Sequence, residues 1–313
     1  MTTGQESAPV SSSAEHASGV KRLAIVGTGL IGASFAAALK KNGYTGHVAG
    51  CARTASTLDK ALALGLIDSA TTDYAEVVRD ADLVMLAVPM LAMRPALEAI
   101  KPVLPAGCIV TDGGSVKGPF IKDARDVLDD CTHVVPAHPV AGKEFSGVEA
   151  ADASLYRGHT VILTPLQDND PDSVRTVTEL WRMCGAFVET LDWQTHDRIL
   201  AATSHMPHVV AFSIVAMLAQ SPTCEDVFRY SAGGFRDFTR IASGDPVMWR
   251  DICLSNSDEI GEILDKVSEQ LNHVRELIGR SDAEQLEALF SNAKTTRDKL
   301  IDKYDRAKRA QTD

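Results

Sequence analysis

The chain has 313 residues, enough for two domains at roughly 100–200 residues each, with a sizeable core. Its 31 Lys+Arg against 42 Asp+Glu leave a net charge of −11, which excludes a general basic surface for gripping nucleic acid but not a local cluster of positive groups for a small anion. Aromatic residues are only 5%, so the core is expected to be Ala, Leu, Ile and Val. The six cysteines, Cys51, Cys108, Cys131, Cys184, Cys224 and Cys253, are scattered and form no C-x-x-C pair. Neither a disulfide framework nor a zinc site is expected, and a reducing cytoplasm fits that usage.

Residues 1–19 are rich in Ser, Ala and Gly, lack an apolar stretch, and read as a disordered tail rather than a signal peptide. From Lys21 onward short apolar runs alternate with amphipathic stretches. Strands are expected at Leu23–Val26, His47–Ala52, Leu83–Val88 (stopped by Pro89), Cys108–Asp112, His133–Ala137, His159–Leu163 and Ala186–Leu191. Helices are expected at 31–41, 57–64 and 90–104. This alternation predicts a doubly wound, mostly parallel α/β sheet over residues 20–192. Residues 193–313 carry no strand pattern and predict an all-α domain. Within it, 199–224 has no Asp, Glu, Lys or Arg, but its densely apolar part, 209–219, falls short of the ~20 residues of a bilayer span. A buried helix, not a membrane helix, is expected there. Ile260, Leu264, Val267, Leu271, Val274 and Ile278 follow one another at helical seam spacing, suiting either internal packing or a dimer seam. Ser281 with Glu284 resembles a capping box opening a last helix.

Four constellations carry chemistry. Gly27-Thr28-Gly29-Leu30-Ile31-Gly32 follows a strand and opens a helix, the setting in which G-x-G-x-x-G holds a dinucleotide pyrophosphate. Gly27 permits the tight turn, Gly29 the approach of the pyrophosphate, and Gly32 close helix–strand packing. The helix N-terminus supplies free N–H groups. Val88 and Pro89, at the end of the Leu83 strand, are expected to line the same cofactor site. About 20 residues past the motif, where an NAD site carries Asp or Glu, stand Ala52, Arg53, Thr54, Ala55 and Ser56. A guanidinium beside hydroxyls suits a 2′-phosphate, so NADP is favoured over NAD. Arg53 stacking on adenine, or simply facing solvent, is the other reading.

The second constellation is Thr111–Lys117 (TDGGSVK), where Ser115 is placed either to cap the next helix or to meet a ligand at the strand ends. In the third, Ala137–Glu144 (AHPVAGKE), His138 sits on a rigid loop after a strand with a pKa suited to general base catalysis. The fourth comprises His196-Asp197, Ser204-His205-Met206-Pro207-His208 and Gly233–Arg240. Its His and Asp residues raise a metal hypothesis, but Pro207 intervenes and no third ligand has suitable spacing, so no metal is expected. Arg236 and Arg240, four apart, suit carboxylate binding.

In this order, GTGLIGAS, TDGGSVK, AHPVAGKEFSG, SHMPH and GFRDFTRIASGDPVMWRDI resemble the prephenate/arogenate dehydrogenase family of tyrosine biosynthesis, over about Lys21 to Ile278. The resemblance implies a Rossmann-type domain followed by an all-α dimerisation domain. It implies oxidative decarboxylation of prephenate or arogenate with hydride passing to NAD(P), the keto and amino side chains both remaining open. On matching positions it makes His138 the acceptor of the ring hydroxyl proton and Ser115 its hydrogen-bonding neighbour. Arg240 becomes the carboxylate-binding arginine, and His208 and Ser204 lie on the substrate side. Arg236 stands near the entrance, and Trp249 packs near the substrate or in the core. A homodimer, and tyrosine as an inhibitor, follow from the same likeness. A β-hydroxyacid dehydrogenase would need a lysine on a long helix and has no place for AHPVAGKEFSG. A nucleotide-sensing protein that has lost catalysis is the non-enzyme alternative.

Overall fold

The structure, a computed structural model, describes residues 19–143 and 145–312. Residues 1–18 of the expected tail, and Glu144, lie outside the described residues. Six strands, β1 (Arg22–Val26), β2 (His47–Cys51), β3 (Ser69–Thr71), β4 (Leu83–Leu86), β5 (Ile109–Asp112) and β6 (Val134–Val135), form an all-parallel sheet in the order β3-β2-β1-β4-β5-β6. Between them run α1 (Leu30–Lys41), α2 (Ala55–Ala63), α3 (Tyr74–Val78), α4 (Met93–Ile100) and α5 (Gly118–Val127). The order reverses between β1 and β4, where a doubly wound sheet opens its ligand crevice.

Strand periodicity explains the two covered faces. On one, Leu23, Ile25 and Met85 pack with Phe35 and Leu39 of α1 and with Trp181. On the other, Ala24, Val26, Val84 and Leu86 meet Met93, Leu97, Phe120 and Ile121 of α4 and α5. Because both faces are buried, the strands read as continuous apolar runs rather than alternating ones.

The single strand expected at 133–137 is two. Pro136 has no N–H to continue the ladder, and the chain leaves the first sheet there. It begins a second sheet of β7 (Ala137–Pro139), β8 (Thr160–Leu163) and β9 (Phe187–Thr190), with β7 antiparallel to β8 and β8 parallel to β9. Helix α6 (Pro171–Met183) lies between β8 and β9 in sequence and carries Trp181, which is fully buried against Phe35 and Tyr156 with ring centroids 4.5 and 5.0 Å away.

From Trp193 onward the described chain is helical: α7 (Trp193–Leu200), a π turn over Ala201–His205, α8 (Met206–Ala219), α9 (Cys224–Arg229), α10 (Gly233–Thr239), α11 (Pro246–Ser255), α12 (Ser257–Gly279) and α13 (Ala283–Thr312). Two compact units divide it, the first running to Ile260 and the second starting at Gly261, so the helical half is shared between them. The run Trp193–Ala219, 27 residues with a mean hydropathy of 1.5 over its most apolar window, is long and apolar enough to cross a membrane, and only 22% of that window is buried. The expectation of a buried helix therefore fails for the isolated chain: in α8 only Ala211 is fully buried. Along the seam Ile260 is buried and Leu264, Val267 and Val274 are half-buried, but Leu271 and Ile278 are each 61% exposed, so internal packing accounts for only part of it. The last helix is not capped by Ser281, which has φ 55°, but by Asp282, whose Oδ1 accepts the Gln285 N–H at 3.2 Å.

The aromatic cluster tying α6 to α1 gives the first test. Trp181→Ala is expected to lower unfolding free energy by about 3–5 kcal/mol, measured by urea denaturation. A loss under about 1 kcal/mol would mean the cluster does not anchor α6.

Candidate active site

The glycine loop fits a dinucleotide on its own geometry. A Cβ on Gly27, which has φ +102°, would lie 2.5 Å from the Ala87 carbonyl oxygen and 3.1 Å from Val88 Cγ1; a Cβ on Gly32 would lie 2.2 Å from the Gly27 carbonyl oxygen. Those two glycines are demanded by close packing of the β1 end, α1 and the segment after β4. A Cβ on Gly29 would meet nothing within 4 Å, which leaves the approach to the α1 N-terminus open. Helix α1 begins at Leu30 without a side-chain cap, so its first N–H groups present partial positive charge to an anion. Thr28 Oγ1 is buried without a hydrogen-bond partner. Val88 thus flanks Gly27, and Pro89 is exposed where β4 ends. Arg53 is exposed beyond the end of β2, and Thr54 Oγ1 accepts the Thr57 N–H at 3.4 Å to cap α2.

The β5–α5 loop is organised around a buried ion pair. Lys117 and Asp112 have no exposed side-chain surface. The Lys117 ammonium donates to Asp112 Oδ2 and, at 2.6 Å, to the Ala137 carbonyl. Asp112 also accepts the Gly114 and Ala137 N–H groups at 2.8 and 3.0 Å. Burial pushes the Asp112 carboxyl up and the Lys117 amine down, opposed by their mutual attraction and these hydrogen bonds. Ser115 is half-buried on this loop and does not cap α5. The cap comes from Asp197, on α7: its Oδ1 and Oδ2 accept the Lys117 and Gly118 N–H groups at 2.9 and 2.8 Å.

His138 does not sit on the expected loop but in the middle of β7, paired with Ile162 of β8 because the chain enters a second sheet after Pro136, and it is 7% exposed. Its Nδ1 lies 2.8 Å from His196 Nε2, and His196 Nδ1 lies 2.7 Å from Asp197 Oδ1. Burial, followed by the neighbouring His196, Lys117 and His205, holds the His138 pKa well below 6.5, so its imidazole is neutral near pH 7. In the sequence, His196-Asp197 stood out only as part of a discarded metal hypothesis. Their adjacency just past the α/β half was the signal available, but nothing local showed that they would meet His138, 58 residues earlier.

Farther along, Pro207 has no N–H to bond the Thr203 carbonyl, and the helix relaxes into the π turn at 201–205, a feature frequent at functional sites. His205 is 1% exposed; Asn256 Nδ2 donates to its Nδ1 at 3.1 Å and to the Asp197 carbonyl at 3.0 Å. His208 Nδ1 donates to the Ser204 carbonyl at 2.8 Å, and its ring stacks on Trp249 with centroids 3.7 Å apart. Burial lowers the His208 pKa, leaving Nε2 as an acceptor. Trp249 also packs with Met90, Val116 and Ile252, so it serves the core as well as this side chain. Arg236 and Arg240 share the lining of a cavity of about 450 Å³ with Val215, Phe228 and Thr239; neither His138 nor Ser115 lines it. Among the described residues no three His, Cys, Asp or Glu side chains converge as metal ligands.

A crevice at the β1/β4 reversal, an uncapped helix behind a glycine loop, and a neutral buried histidine beside the strand ends define a dinucleotide-dependent oxidoreductase. The nucleotide-binding domain of prephenate dehydrogenase matches residues 35–190, and the dimerization domain of prephenate dehydrogenase matches 192–292. Cyclohexadienyl dehydrogenase of Zymomonas mobilis is 37% identical over 279 residues, covering 88% of this chain and 95% of that protein. Prephenate dehydrogenase of Bacillus subtilis is 36% identical, over 88% of this chain and 75% of the relative. Among solved structures, the prephenate dehydrogenase of Aquifex aeolicus in complex with hydroxyphenyl propionate and NAD+ superposes with a TM-score of 0.84 at 38% identity, covering 90% of this chain and 98% of that one. The chain belongs to the prephenate dehydrogenase family.

The buried histidines give a pH test. Burial holds His205 at about 4, below the ~6.5 of an unfolded histidine. The unfolded chain therefore takes up protons first as pH falls, and stability present above pH ~6.5 declines toward pH ~4 by up to about 3 kcal/mol. Denaturation midpoints measured from pH 7.5 to 4.5 should fall less steeply in His205→Gln than in the unaltered protein. Equal slopes would count against a neutral, buried His205.

Proposed function

We propose that this protein catalyses NAD(P)-dependent oxidative decarboxylation of prephenate to 4-hydroxyphenylpyruvate and CO2, with arogenate as the alternative substrate. The observation that carries this reading is the buried His138, held neutral within the short strand β7 and next to the loop that carries Ser115. A nicotinamide bound at the glycine loop would take up the hydride from the ring carbon bearing the hydroxyl. His138 Nε2 accepts the hydroxyl proton as that hydride departs, which raises electron density at the reacting carbon. Ser115 hydrogen-bonds the same hydroxyl, Arg240 binds a substrate carboxylate, and His208, Ser204 and Arg236 line the substrate side, with Trp249 holding the His208 ring. Loss of the ring carboxylate as CO2 and aromatisation drive the step. The Aquifex aeolicus relative's complex, with a hydroxyphenyl carboxylic acid and NAD+ together, supports a phenolic carboxylate as the ligand class.

The finer cofactor choice rests on Arg53: its exposed guanidinium beyond β2 suits a 2′-phosphate, and no carboxylate stands there to bind a ribose hydroxyl. A homodimer is supported by the dimerization-domain match and by the uncovered apolar surface of α8 and α12. Tyrosine, with the same ring hydroxyl and a carboxylate, is proposed to compete at this site. Six free cysteines support a reducing cytoplasm as its location.

Purified protein assayed with prephenate or arogenate, each with NAD or NADP, is expected to form reduced cofactor in at least one mixture; no turnover in all four overturns the reading. His138→Asn is expected to lower kcat about 10²–10⁴-fold with KM little changed, and Arg240→Gln to raise KM roughly 10–100-fold. Arg53→Ala should raise KM for NADP far more than for NAD. An unchanged preference rejects the assignment of Arg53 to the 2′-phosphate.

A further inference from the structure

We propose that His196 and Asp197 are positioning residues that lock His138 in the Nδ1–H tautomer, so that its Nε2 lone pair faces the substrate hydroxyl. The inference rests on His138 being the proton acceptor, and it follows from the direction of each hydrogen bond. Both Asp197 oxygens already accept backbone N–H groups at the start of α5, from Lys117 at 2.9 Å and from Gly118 at 2.8 Å. A carboxylate so placed only accepts. His196 Nδ1, 2.7 Å from Asp197 Oδ1, is therefore the N–H donor. In a neutral imidazole the other nitrogen is then an acceptor, so His196 Nε2 accepts from His138 Nδ1 across 2.8 Å. One tautomer of His138 satisfies the chain, the one with a bare Nε2.

Burial makes the constraint firm. His196 has no exposed surface, so water cannot replace a lost partner. The rings meet edge-on at 72° with centroids 5.0 Å apart, which aims the His138 N–H at the His196 nitrogen. The charged and titratable groups facing His138 are Lys117 with its partner Asp112 at the β5–α5 loop, His196 with Asp197 on α7, and His205 on the π turn. Of these, His196 is the one hydrogen-bonded to the His138 ring. When Nε2 takes the substrate proton, the Nδ1–H bond to His196 becomes charge-assisted and stabilises the imidazolium. No further proton needs to move, and the arrangement is restored when Nε2 releases its proton.

The test compares His196→Leu, which removes the acceptor, with His196→Gln, whose side-chain carbonyl can replace it. His196→Leu is expected to lower kcat roughly 10²-fold with KM within about threefold, the range of a lost general base contribution, and His196→Gln to recover most of that loss. Nitrogen-15 NMR of histidine-labelled protein, with the His138 signal assigned through His138→Asn, should show the Nδ1–H tautomer in the unaltered protein and in His196→Gln, and its loss in His196→Leu. An Nε2–H tautomer in the unaltered protein, or full turnover by His196→Leu, overturns the proposal. If His196→Leu does not fold, the unaltered spectrum and the Gln variant decide. Full turnover by His138→Asn would instead reject the proton-acceptor role itself, whereas loss in His138→Asn beside an unaffected His196→Leu rejects only the lock.

Discussion

A lysine ammonium without exposed surface is the constraint on which this site depends. Lys117 is held by Asp112 at the end of β5 and by the carbonyl of Ala137 at the start of β7. Asp112 in turn takes the Ala137 N–H, the group that would otherwise be left unpaired where the chain changes sheets after Pro136. One ion pair thus fastens the first sheet to the second at the residue preceding His138. Removing either partner would strand a buried charge, at about 3–5 kcal/mol. The same ammonium helps keep His138 neutral. Asp197 makes a second tie, from α7 to the first turn of α5.

How much of this was legible in the sequence follows from the range of the forces involved. The glycine loop and the strands at β1, β2, β4 and β5 are local patterns, and the structure places them as the pattern implies; the three-residue β3 at Ser69–Thr71 is too short and exposed to show an apolar run, and β8 and β9 belong to a second sheet instead of the expected single one. The candidacy of His138 was legible, but the loop expected to carry it is strand β7, where His138 is the central residue, paired with Ile162 of β8. Its partners were not legible, because His196 and Asp197 act across 58 and 80 residues to His138 and Lys117. Capping was only partly legible. Ser115 has the chemistry of a cap, yet a distant carboxylate takes the α5 N–H groups; Ser281 looked like a capping box, yet Asp282 does the work one residue later. The strand at 133–137 was broken by Pro136, a signal present in the sequence and outweighed there by the apolar run.

The apolar helix surface differs in kind. Residues 209–219 looked like core because they are hydrophobic on all sides, and composition alone cannot say whether the cover comes from the same chain. In the single chain that surface is mostly uncovered, as are Leu271 and Ile278. Exposed apolar faces of this extent mark an interaction site, which agrees with the dimerization-domain match.

The π turn at 201–205 lies between two sets of histidines on one continuous helix. Before it stand His196 and Asp197, which face His138; after it stands His208, stacked on Trp249. An α-helix advances about 100° per residue, so a turn wide by one residue rotates everything downstream by that angle relative to everything upstream. The bulge therefore acts as a phase setting. It decides which way His208 points relative to His138, and deleting a single residue there would swing the His208 face about a quarter-turn away while leaving both halves of the helix intact.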